Sequence, residues 1–214
     1  GSTLVAMLLG AQPGEAIADY CADSGGKTLC LAAAMRNKGK LLAMDISAPR
    51  LERSAPRCAK AGVDNVERHV IDASPEAKKW LKRRKRTFDR VLVDAPCSGV
   101  GAWRRNPDAR WLRRTRTLEE LLPIQADVLT RAARLVRPGG VLVYATCSLL
   151  PEENEEQVAS ALRHFSCLRL VPALPRVGRE GRPGLGLDDG QRRMVQRFEP
   201  AEQKHNTTLA QEPR

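Results

Sequence analysis

The chain has 214 residues, 42% of them hydrophobic, and a net charge of +11; we expect one globular domain over residues 1–200 and a polar, disordered tail over 201–214. No apolar run reaches the ~18 residues that a membrane-spanning helix needs and no secretion leader is recognisable, which favours a soluble, cytoplasmic protein. Six cysteines without zinc spacing or a small disulfide framework predict free thiols and no metal site.

A glycine loop follows the first predicted strand, which covers residues 16–20. Its sequence is CADSGGKT, Cys21 to Thr28, and a segment of helical composition comes directly after it. A strand, a glycine loop and a helix amino terminus together favour an anion or cofactor site, because backbone N–H groups point outwards and glycines allow close approach. The spacing is neither that of a P-loop nor that of the dinucleotide G-x-G-x-x-G. Taken alone, it also fits an ordinary turn.

Acidic residues end three successive predicted strands. They are Asp45 after residues 40–44, Asp72 after residues 66–71, and Asp94 in RVLVD. Asp45 lies about twenty residues after the glycine loop, where a carboxylate can accept hydrogen bonds from both hydroxyls of a ribose. Each acid could also be an N-cap of the next helix. Three acids in register favour a ligand site and a cofactor that contains a ribose.

The alternation of strands and helices predicts an α/β fold, with a parallel sheet and helices on both faces. A capping box at Thr117 and Glu120 predicts a helix through Leu135. Another helix is expected over Pro151–His164, with acids in its first turn and bases in its last. Further strands are expected at residues 141–145, 167–171 and 194–198.

A basic stretch follows the third strand. Residues 78–116 contain 14 Lys and Arg against three Asp, so this stretch carries the whole net charge, and all three tryptophans fall in it. Clustered cations with interspersed aromatic rings are typical of a face that binds a polyanion. The alternative is a solvated helix with its Trp rings in the core. We favour nucleic-acid contact for residues 103–116 and leave both interpretations open for residues 78–86.

Two cysteines follow the carboxyl ends of predicted strands. Cys97 lies in the loop after Asp94, and Cys147 lies in Thr-Cys-Ser after residues 141–145. A cysteine thiolate is a good carbon nucleophile, and its pKa falls near cations or a helix amino terminus. Two thiols at one ligand-binding edge predict covalent catalysis, with the second group releasing the product. Redox pairing is the alternative, and it requires the sulfurs to come within bridging distance.

These motifs resemble those of the Sun/Fmu-type RNA cytosine-C5 methyltransferases, a family that includes eukaryotic nucleolar members. The matching segments are DAPCSG at 94–99, the following RRNPDARW, and YATCSLLPEENEEQV at 144–158. The resemblance implies a Rossmann-like fold that uses S-adenosylmethionine, with a mostly parallel seven-stranded sheet whose last strand is antiparallel. It also implies methylation of carbon 5 of cytosine in RNA, with ribosomal RNA as the expected partner.

The resemblance further implies roles for individual residues. Cys147 would add to carbon 6 of cytosine, Cys97 would assist elimination, and Asp94 would lie between the methyl donor and the base. The implied cofactor-binding residues are Cys21, Ala22, Asp23, Ser24, Gly25, Gly26, Lys27, Asp45, Arg50, Asp72 and Asp94. Within the basic stretch, the expected RNA contacts are Arg104, Arg105, Arg110 and Trp111.

The chain departs from the family pattern in its glycine loop. The usual Cys-Ala-Ala-Pro-Gly-Gly-Lys has Asp23 and Ser24 here. The added carboxylate would repel the carboxylate of the cofactor, whereas the N–H of Ser24 would compensate. Two other functions therefore stay open. One is an RNA-binding module with a degenerate cofactor loop, and the other is a DNA cytosine methyltransferase whose nucleophile is Cys97.

Overall fold

The computed structural model describes residues 2–103, 107–111, 116–171, 179–180, 195–198 and 204–211. Its helices are α1 Ser2–Leu9, α2 Gly26–Met35, α3 Ala48–Lys60, α4 Pro75–Lys82, α5 Leu118–Ala133 and α6 Glu155–His164. Its strands are β1 Ala16–Asp19, β2 Lys40–Asp45, β3 Val66–Val70, β4 Phe88–Asp94, β5 Val136–Thr146, β6 Leu168–Leu170, β7 Arg179–Glu180, β8 Val195–Phe198 and β9 Lys204–Gln211. Within these ranges no helix is long and apolar enough to span a bilayer.

The predicted α/β class with a mostly parallel sheet is confirmed. Five parallel strands lie in the order β3-β2-β1-β4-β5, and β9 then pairs antiparallel with β5. Both β6 and β8 pair with β9, and β7 pairs with β8. The expected count of seven strands is wrong. The parallel part has five, and the described chain adds four short or antiparallel strands beyond β5.

The disordered tail expected over 201–214 is also wrong for most of its length. β9 pairs with β5 from Val141 opposite Ala210 to Thr146 opposite His205. A parallel sheet that ended at β5 would leave a row of N–H and C=O groups without partners, and β9 satisfies them. Polar composition indicated disorder, whereas the pairing depends on backbone groups that every residue carries.

Helices cover both faces of the parallel strands, and the alternation of side chains along each strand divides the core in two. One face packs against α1, α2 and α3, and its buried side chains include Val5, Leu9, Leu31, Leu51, Ile17, Leu92 and Val143. The other face packs against α4, α5 and α6, and its buried side chains include Leu81, Leu129, Val158, Val91, Val93, Leu142 and Tyr144. Strands that are buried on both faces have continuous apolar sequences, which is why they were predictable.

The start of β5 differs from its prediction. We expected a strand from Val141, but β5 begins at Val136. Val136 lies opposite Phe88 and Val141 lies opposite Arg90, so two steps along β4 correspond to five along β5. The glycines and proline of this segment form a bulge inside a strand instead of ending it.

The capping box at the start of α5 gives a test of local structure. The Thr117 hydroxyl accepts a hydrogen bond from the N–H of Glu120 at 3.3 Å, and the Glu120 carboxylate accepts one from the N–H of Thr117 at 3.0 Å. Thr117→Ala should lower the free energy of unfolding by about 1 kcal/mol, measured by urea denaturation. Ser47→Ala is the matched control, because Ser47 precedes α3 without a capping side-chain bond. Equal losses in both variants would contradict the prediction.

Candidate active site

Backbone pairing places the two cysteine loops side by side. Asp94 at the end of β4 lies opposite Ala145 of β5, and the N–H of Ala95 continues the ladder to the carbonyl of Ala145 at 2.8 Å. Beyond the strands, the N–H of Gly101 donates to the carbonyl of Cys147 at 3.0 Å. A Cβ at Gly101 would lie 2.6 Å from that oxygen. Glycine is therefore required for the close approach of the two loops.

The two thiols meet at this edge of the sheet. The Sγ atoms of Cys97 and Cys147 are 3.2 Å apart, and the N–H of Cys147 donates to the sulfur of Cys97 at 3.3 Å. A disulfide needs about 2.05 Å, so the contact is a hydrogen bond between free thiols. The hydrogen bond to Cys147, together with burial, raises the pKa of the Cys97 thiol. Cys97 therefore stays protonated at neutral pH and can donate to the other sulfur.

A buried carboxyl group clamps the loop that carries Cys97. Glu153, in the 3₁₀ turn after β5, is 0% exposed. It accepts hydrogen bonds from the N–H of Ser98 at 2.8 Å, the hydroxyl of Ser98 at 2.5 Å and the amide of Gln125 at 2.8 Å. The same amide of Gln125 donates to the carbonyl of Pro96 at 2.9 Å. The position of Cys97 is thus fixed from both sides by groups that sequence analysis missed.

A second network holds the loop that carries Cys147. The Thr146 hydroxyl donates to the amide oxygen of Asn154 at 2.6 Å and accepts from the N–H of Ser148 at 3.1 Å. The amide of Asn154 donates to the carbonyl of Leu150 at 2.7 Å. Thr146, Ser148 and Asn154 are all buried. These short-range bonds explain why the chain turns sharply after β5, so that a 3₁₀ turn over Pro151–Glu153 precedes α6, which begins at Glu155 and not at Pro151 as predicted.

Three charged groups, Asp19, Lys27 and Asp94, lie at the carboxyl ends of β1 and β4 and in the first turn of α2. Lys27 forms an ion pair with Asp94. Burial alone would lower the pKa of Lys27, but the charge of Asp94 and its hydrogen bond outweigh this and raise it. Asp19 accepts a hydrogen bond from the hydroxyl of Thr28 at 2.7 Å, and complete burial raises the pKa of its carboxyl to about 6. The ion pair with Lys27 therefore places a cation beside Asp94.

The glycine loop folds around the end of β2. Asp45 accepts hydrogen bonds from the N–H groups of Asp23 at 3.0 Å and Ser47 at 2.9 Å. Gly25 has φ +81°, and a Cβ there would lie 2.6 Å from the Cβ of Ser54. The unusual Asp23 carboxylate lies 3.5 Å from the guanidinium of Arg50. A cation therefore offsets the added negative charge that sequence analysis identified as a departure.

A cleft of about 500 Å³ joins these elements, and its size is that of a small-molecule site. Five predicted cofactor residues line it: Cys21, Asp23, Asp45, Arg50 and Asp94. Cys97 lines it as well. The lining residues that sequence analysis missed are Tyr20, Ile46, Ile71, Pro96, Ser98, Arg116, Leu121, Ile124 and Val128. The last three have helical spacing on α5, a signal that indicated only a core-facing stripe.

The other predicted site residues have different surroundings. Ala22, Ser24, Gly25, Gly26 and Lys27 belong to the glycine loop but are not among the residues that line the cleft. Asp72 is exposed, and its carboxylate accepts hydrogen bonds from the N–H of Ser74 at 3.0 Å and from its hydroxyl at 2.5 Å. This geometry is that of a turn before α4.

The predicted RNA contacts fall mostly where the structure gives no side chains. Arg104 and Arg105 lie outside the described residues, and Arg110 is described only as part of a 3₁₀ turn. Trp111 is 78% exposed. Its ring is therefore accessible to a ligand.

Trp80 shows the opposite arrangement. Its ring stacks on that of His69, with centroids 3.5 Å apart, and the guanidinium of Arg84 lies 3.4 Å from its centroid. Protein groups thus cover this ring, which favours the structural interpretation for Trp80 over base stacking.

The comparisons with known proteins agree with one another. The model of a family described as "16S rRNA methyltransferase RsmB/F" matches residues 6–206. The mouse tRNA (cytosine(72)-C(5))-methyltransferase NSUN6 is 40% identical over 94% of this chain and 43% of its own length. The ribosomal RNA small subunit methyltransferase B of Klebsiella pneumoniae is 40% identical over 83% of this chain and 40% of its own length.

Solved structures of methyltransferases are also similar to this chain. NSun6 from Pyrococcus horikoshii, solved with SFG, has a TM-score of 0.78 and 31% identity, over 98% of this chain and 51% of that one. A methyltransferase homologue from Pyrococcus horikoshii has a TM-score of 0.80 and 30% identity, over 98% of this chain and 66% of that one. The chain spans less than half the length of the NSUN6 and methyltransferase B relatives.

The Glu153 clamp can be tested by an isosteric change. Glu153→Gln places an N–H₂ group where an oxygen now accepts, so a donor on Ser98 or Gln125 loses its partner in a buried site. We expect a loss of about 1–3 kcal/mol in the free energy of unfolding, measured by urea denaturation. Glu156→Gln, at an exposed position of α6, is the control and should change stability by less than about 0.5 kcal/mol. A Glu153→Gln variant as stable as the control would contradict the clamp.

The Asp19 carboxyl should make stability depend on pH. Its pKa is raised to about 6, so between about pH 4 and 6 the folded chain keeps a proton that the unfolded chain releases. Stability therefore falls as the pH rises through this window. In wild type, the free energy of unfolding should decrease by an amount on the order of 3 kcal/mol across this window. Asp19→Asn keeps an acceptor for Thr28 but cannot titrate, so this decrease should be absent from it. Urea denaturation at several pH values measures both proteins.

Asp64→Asn, at an exposed position, is the control for this titration and should keep the wild-type profile. If wild type and Asp19→Asn had the same profile over this window, the assignment of the titration to Asp19 would be wrong.

Proposed function

Because the chain belongs to the 16S rRNA methyltransferase RsmB/F family, we propose that it transfers a methyl group from S-adenosylmethionine to carbon 5 of cytosine in RNA. The observation that carries this proposal is the 3.2 Å contact between the sulfurs of Cys97, which lines the cleft, and Cys147. Two thiols in one site serve covalent catalysis, in which one adds to the base and the other assists its release.

Structured RNA is the substrate class that we propose, with ribosomal RNA as the first candidate. The family description names 16S rRNA, and one relative is named for ribosomal RNA. Another relative is named for cytosine 72 of tRNA. Because carbon 5 of a paired and stacked cytosine is out of reach, the target base is single-stranded or flipped out.

The cleft residues fit S-adenosylmethionine, which supplies an electrophilic methyl group when bound. Each oxygen of Asp45 accepts one backbone hydrogen bond. A carboxylate oxygen accepts two, so Asp45 keeps capacity for the two ribose hydroxyls. Ile46, which is 62% exposed, and Ile71 give the same cleft an apolar wall for a planar base. The N-cap of α2 makes no side-chain hydrogen bond, which leaves N–H groups at the glycine loop for a carboxylate.

Cys147 is the proposed nucleophile. Its thiolate sulfur forms a bond to carbon 6 of cytosine, and the electron pair of the C5–C6 double bond shifts to carbon 5, which then takes the methyl group, with S-adenosylhomocysteine as the leaving group. A water molecule accepts the proton from carbon 5, the C5–C6 double bond forms again, and the C6–S bond breaks to release the Cys147 thiolate and restore the aromatic ring. Cys97 stays protonated because its pKa is raised. Its S–H therefore donates to the sulfur of Cys147 and stabilises the thiolate that leaves.

Asp94 is proposed to orient the base. It lines the cleft and is held by the ion pair with Lys27. A carboxylate there can accept a hydrogen bond from the amino group of cytosine and stabilise charge that develops on addition. We propose the remaining predicted residues of the glycine loop, together with Arg50 and Asp72, as cofactor contacts. Arg104, Arg105, Arg110 and Trp111 are proposed as contacts to RNA.

The proposal predicts opposite results for the two thiols. Cys147→Ala removes the nucleophile and should lower methyl transfer by about 10³-fold or more, measured with labelled S-adenosylmethionine and an unmodified RNA transcript. Cys97→Ala keeps the nucleophile but slows release, so a denaturation-stable protein–RNA adduct should accumulate. Cys30→Ala, in α2, is the control and should retain activity and form no adduct. Normal turnover by Cys147→Ala would refute the mechanism.

Two further measurements separate the alternatives. Calorimetric titration with S-adenosylmethionine should give a binding signal that Asp45→Asn weakens. A chain that binds RNA but gives no such signal would instead be an RNA-binding module. RNA that contains 5-fluorocytosine should trap Cys147. Trapping of Cys97 by a fluorinated DNA substrate would identify a DNA methyltransferase.

A further inference from the structure

A second cleft of about 500 Å³ lies between α4 and α5. Leu81, Thr130 and Leu135 are the uncharged residues of its lining. The cations of its lining are Lys78, Lys82 and Lys85 from α4 and the turn after it, and Arg131 and Arg134 from the end of α5. We call this the α4–α5 cleft. Nothing in the proposed chemistry uses it.

Positive charge in the α4–α5 cleft is largely unbalanced. Asp127 is the single acid in its lining, and this residue already pairs with Arg131 at 2.8 Å. For the other four cations, no carboxylate of the described chain lies within 4.0 Å. All four are exposed. The cleft therefore presents about four net positive charges to solvent.

Helix stability accounts for Lys82, Arg131 and Arg134, which lie in or directly after the last turns of α4 and α5, but not for the other two cations. Cations stabilise the last turn of a helix through the macrodipole. Lys78, however, lies in the first half of α4, and Lys85 lies beyond its end. Lys78 and Lys82 are four residues apart on one helix, where like charges are destabilising. A bound polyanion would relieve this repulsion, which is why the charge pattern points to a ligand.

The α4–α5 cleft lies towards the edge of the sheet opposite the cysteines. The N–H of Arg86 donates to the carbonyl of Arg134 at 3.0 Å, and the N–H of Thr87 donates to that of Leu135 at 3.0 Å, just before β4 and β5 begin. Cys97 and Cys147 follow the other ends of these strands. β4 has seven residues, so the two edges are about 20 Å apart at ~3.3 Å per residue. A nucleotide that binds in the α4–α5 cleft is therefore not a direct neighbour of a cytosine that binds at the thiols.

We propose that the α4–α5 cleft binds backbone phosphates of the RNA substrate at a segment remote from the target cytosine; this rests on the proposed function, which makes RNA the substrate. Lysine and arginine side chains bind phosphates without reading sequence. The described lining contains no aromatic ring on which a base could stack. Its two leucines offer little apolar area for an acidic protein, which favours RNA. The site therefore adds affinity and register but no base specificity.

Neutralising the α4–α5 cleft tests the proposal. The variant Lys78→Gln/Lys82→Gln/Arg134→Gln removes three exposed cations from both helices. Its affinity for a fluorescein-labelled RNA hairpin should fall on the order of tenfold, measured by anisotropy between about 50 and 200 mM salt. The slope of log Kobs against log salt should decrease by about 2, because fewer counterions are released. In methylation assays KM for RNA should rise while kcat is retained.

Lys38→Gln/Arg53→Gln/Lys60→Gln is the matched control. It removes the same charge from exposed positions after α2 and on α3, which cover the other face of the sheet. Its affinity and salt slope should stay close to those of wild type. Equal effects in the two triple variants would overturn the proposal, since only net charge would then matter.

Two more outcomes are decisive. If the cleft variant bound the hairpin like the control but lost affinity for polyglutamate, the cleft would be a site for an acidic protein and the proposal would be wrong. If wild type bound the hairpin through the cleft but made no 5-methylcytosine, the cleft would stand and the proposed catalysis would fail. The two failures are therefore distinguishable.

Discussion

Parallel pairing of β4 with β5 is the constraint on which the site depends. Because Asp94 and Ala145 are paired, the loops that follow must leave the sheet at one point, and their cysteines meet there. Pairing alone fixes the loops only to within several ångströms. The buried Glu153 converts this proximity into a defined contact, because it holds both groups of Ser98 as well as Gln125. Strand register and one carboxyl group together set the distance between the sulfurs.

The contact between the thiols also affects the protonation of Cys97. Cys97 has its pKa raised by the hydrogen bond to Cys147 and by burial, so a proton stays on it. A thiol that keeps its proton can donate in the proposed reaction, in which Cys147 attacks. Two equivalent, exposed thiols would instead compete for the base or form a disulfide. The buried network around Glu153 therefore contributes to reactivity as well as to stability.

Local signals in the sequence predicted the elements that local physics determines. The capping box at Thr117, the apolar strands and the acid at the end of β2 depend on neighbouring residues alone. The parts that were wrong or missed depend on long-range pairing. β9 forms because β5 needs a partner, residues 137–140 form a bulge of β5 because β4 lies beside them, and Glu153 lies 55 residues from the serine that it holds. Nothing in the composition of these segments carries that information.

The two edges of the sheet differ in how their charged side chains are paired. At the carboxyl ends of the strands, two cations are paired: Lys27 with Asp94 and Arg50 with Asp23. Paired charges orient a ligand but attract it weakly from a distance, since their fields cancel. In the α4–α5 cleft, four of the five cations lack such partners among the described residues. The α4–α5 cleft would then add long-range attraction for RNA to that of the proposed RNA contacts beside the thiols, and chemical selectivity would come from the edge that carries the thiols. With the proposed function, the chain would bind many RNAs loosely and still modify a cytosine only where a flipped base reached the thiols.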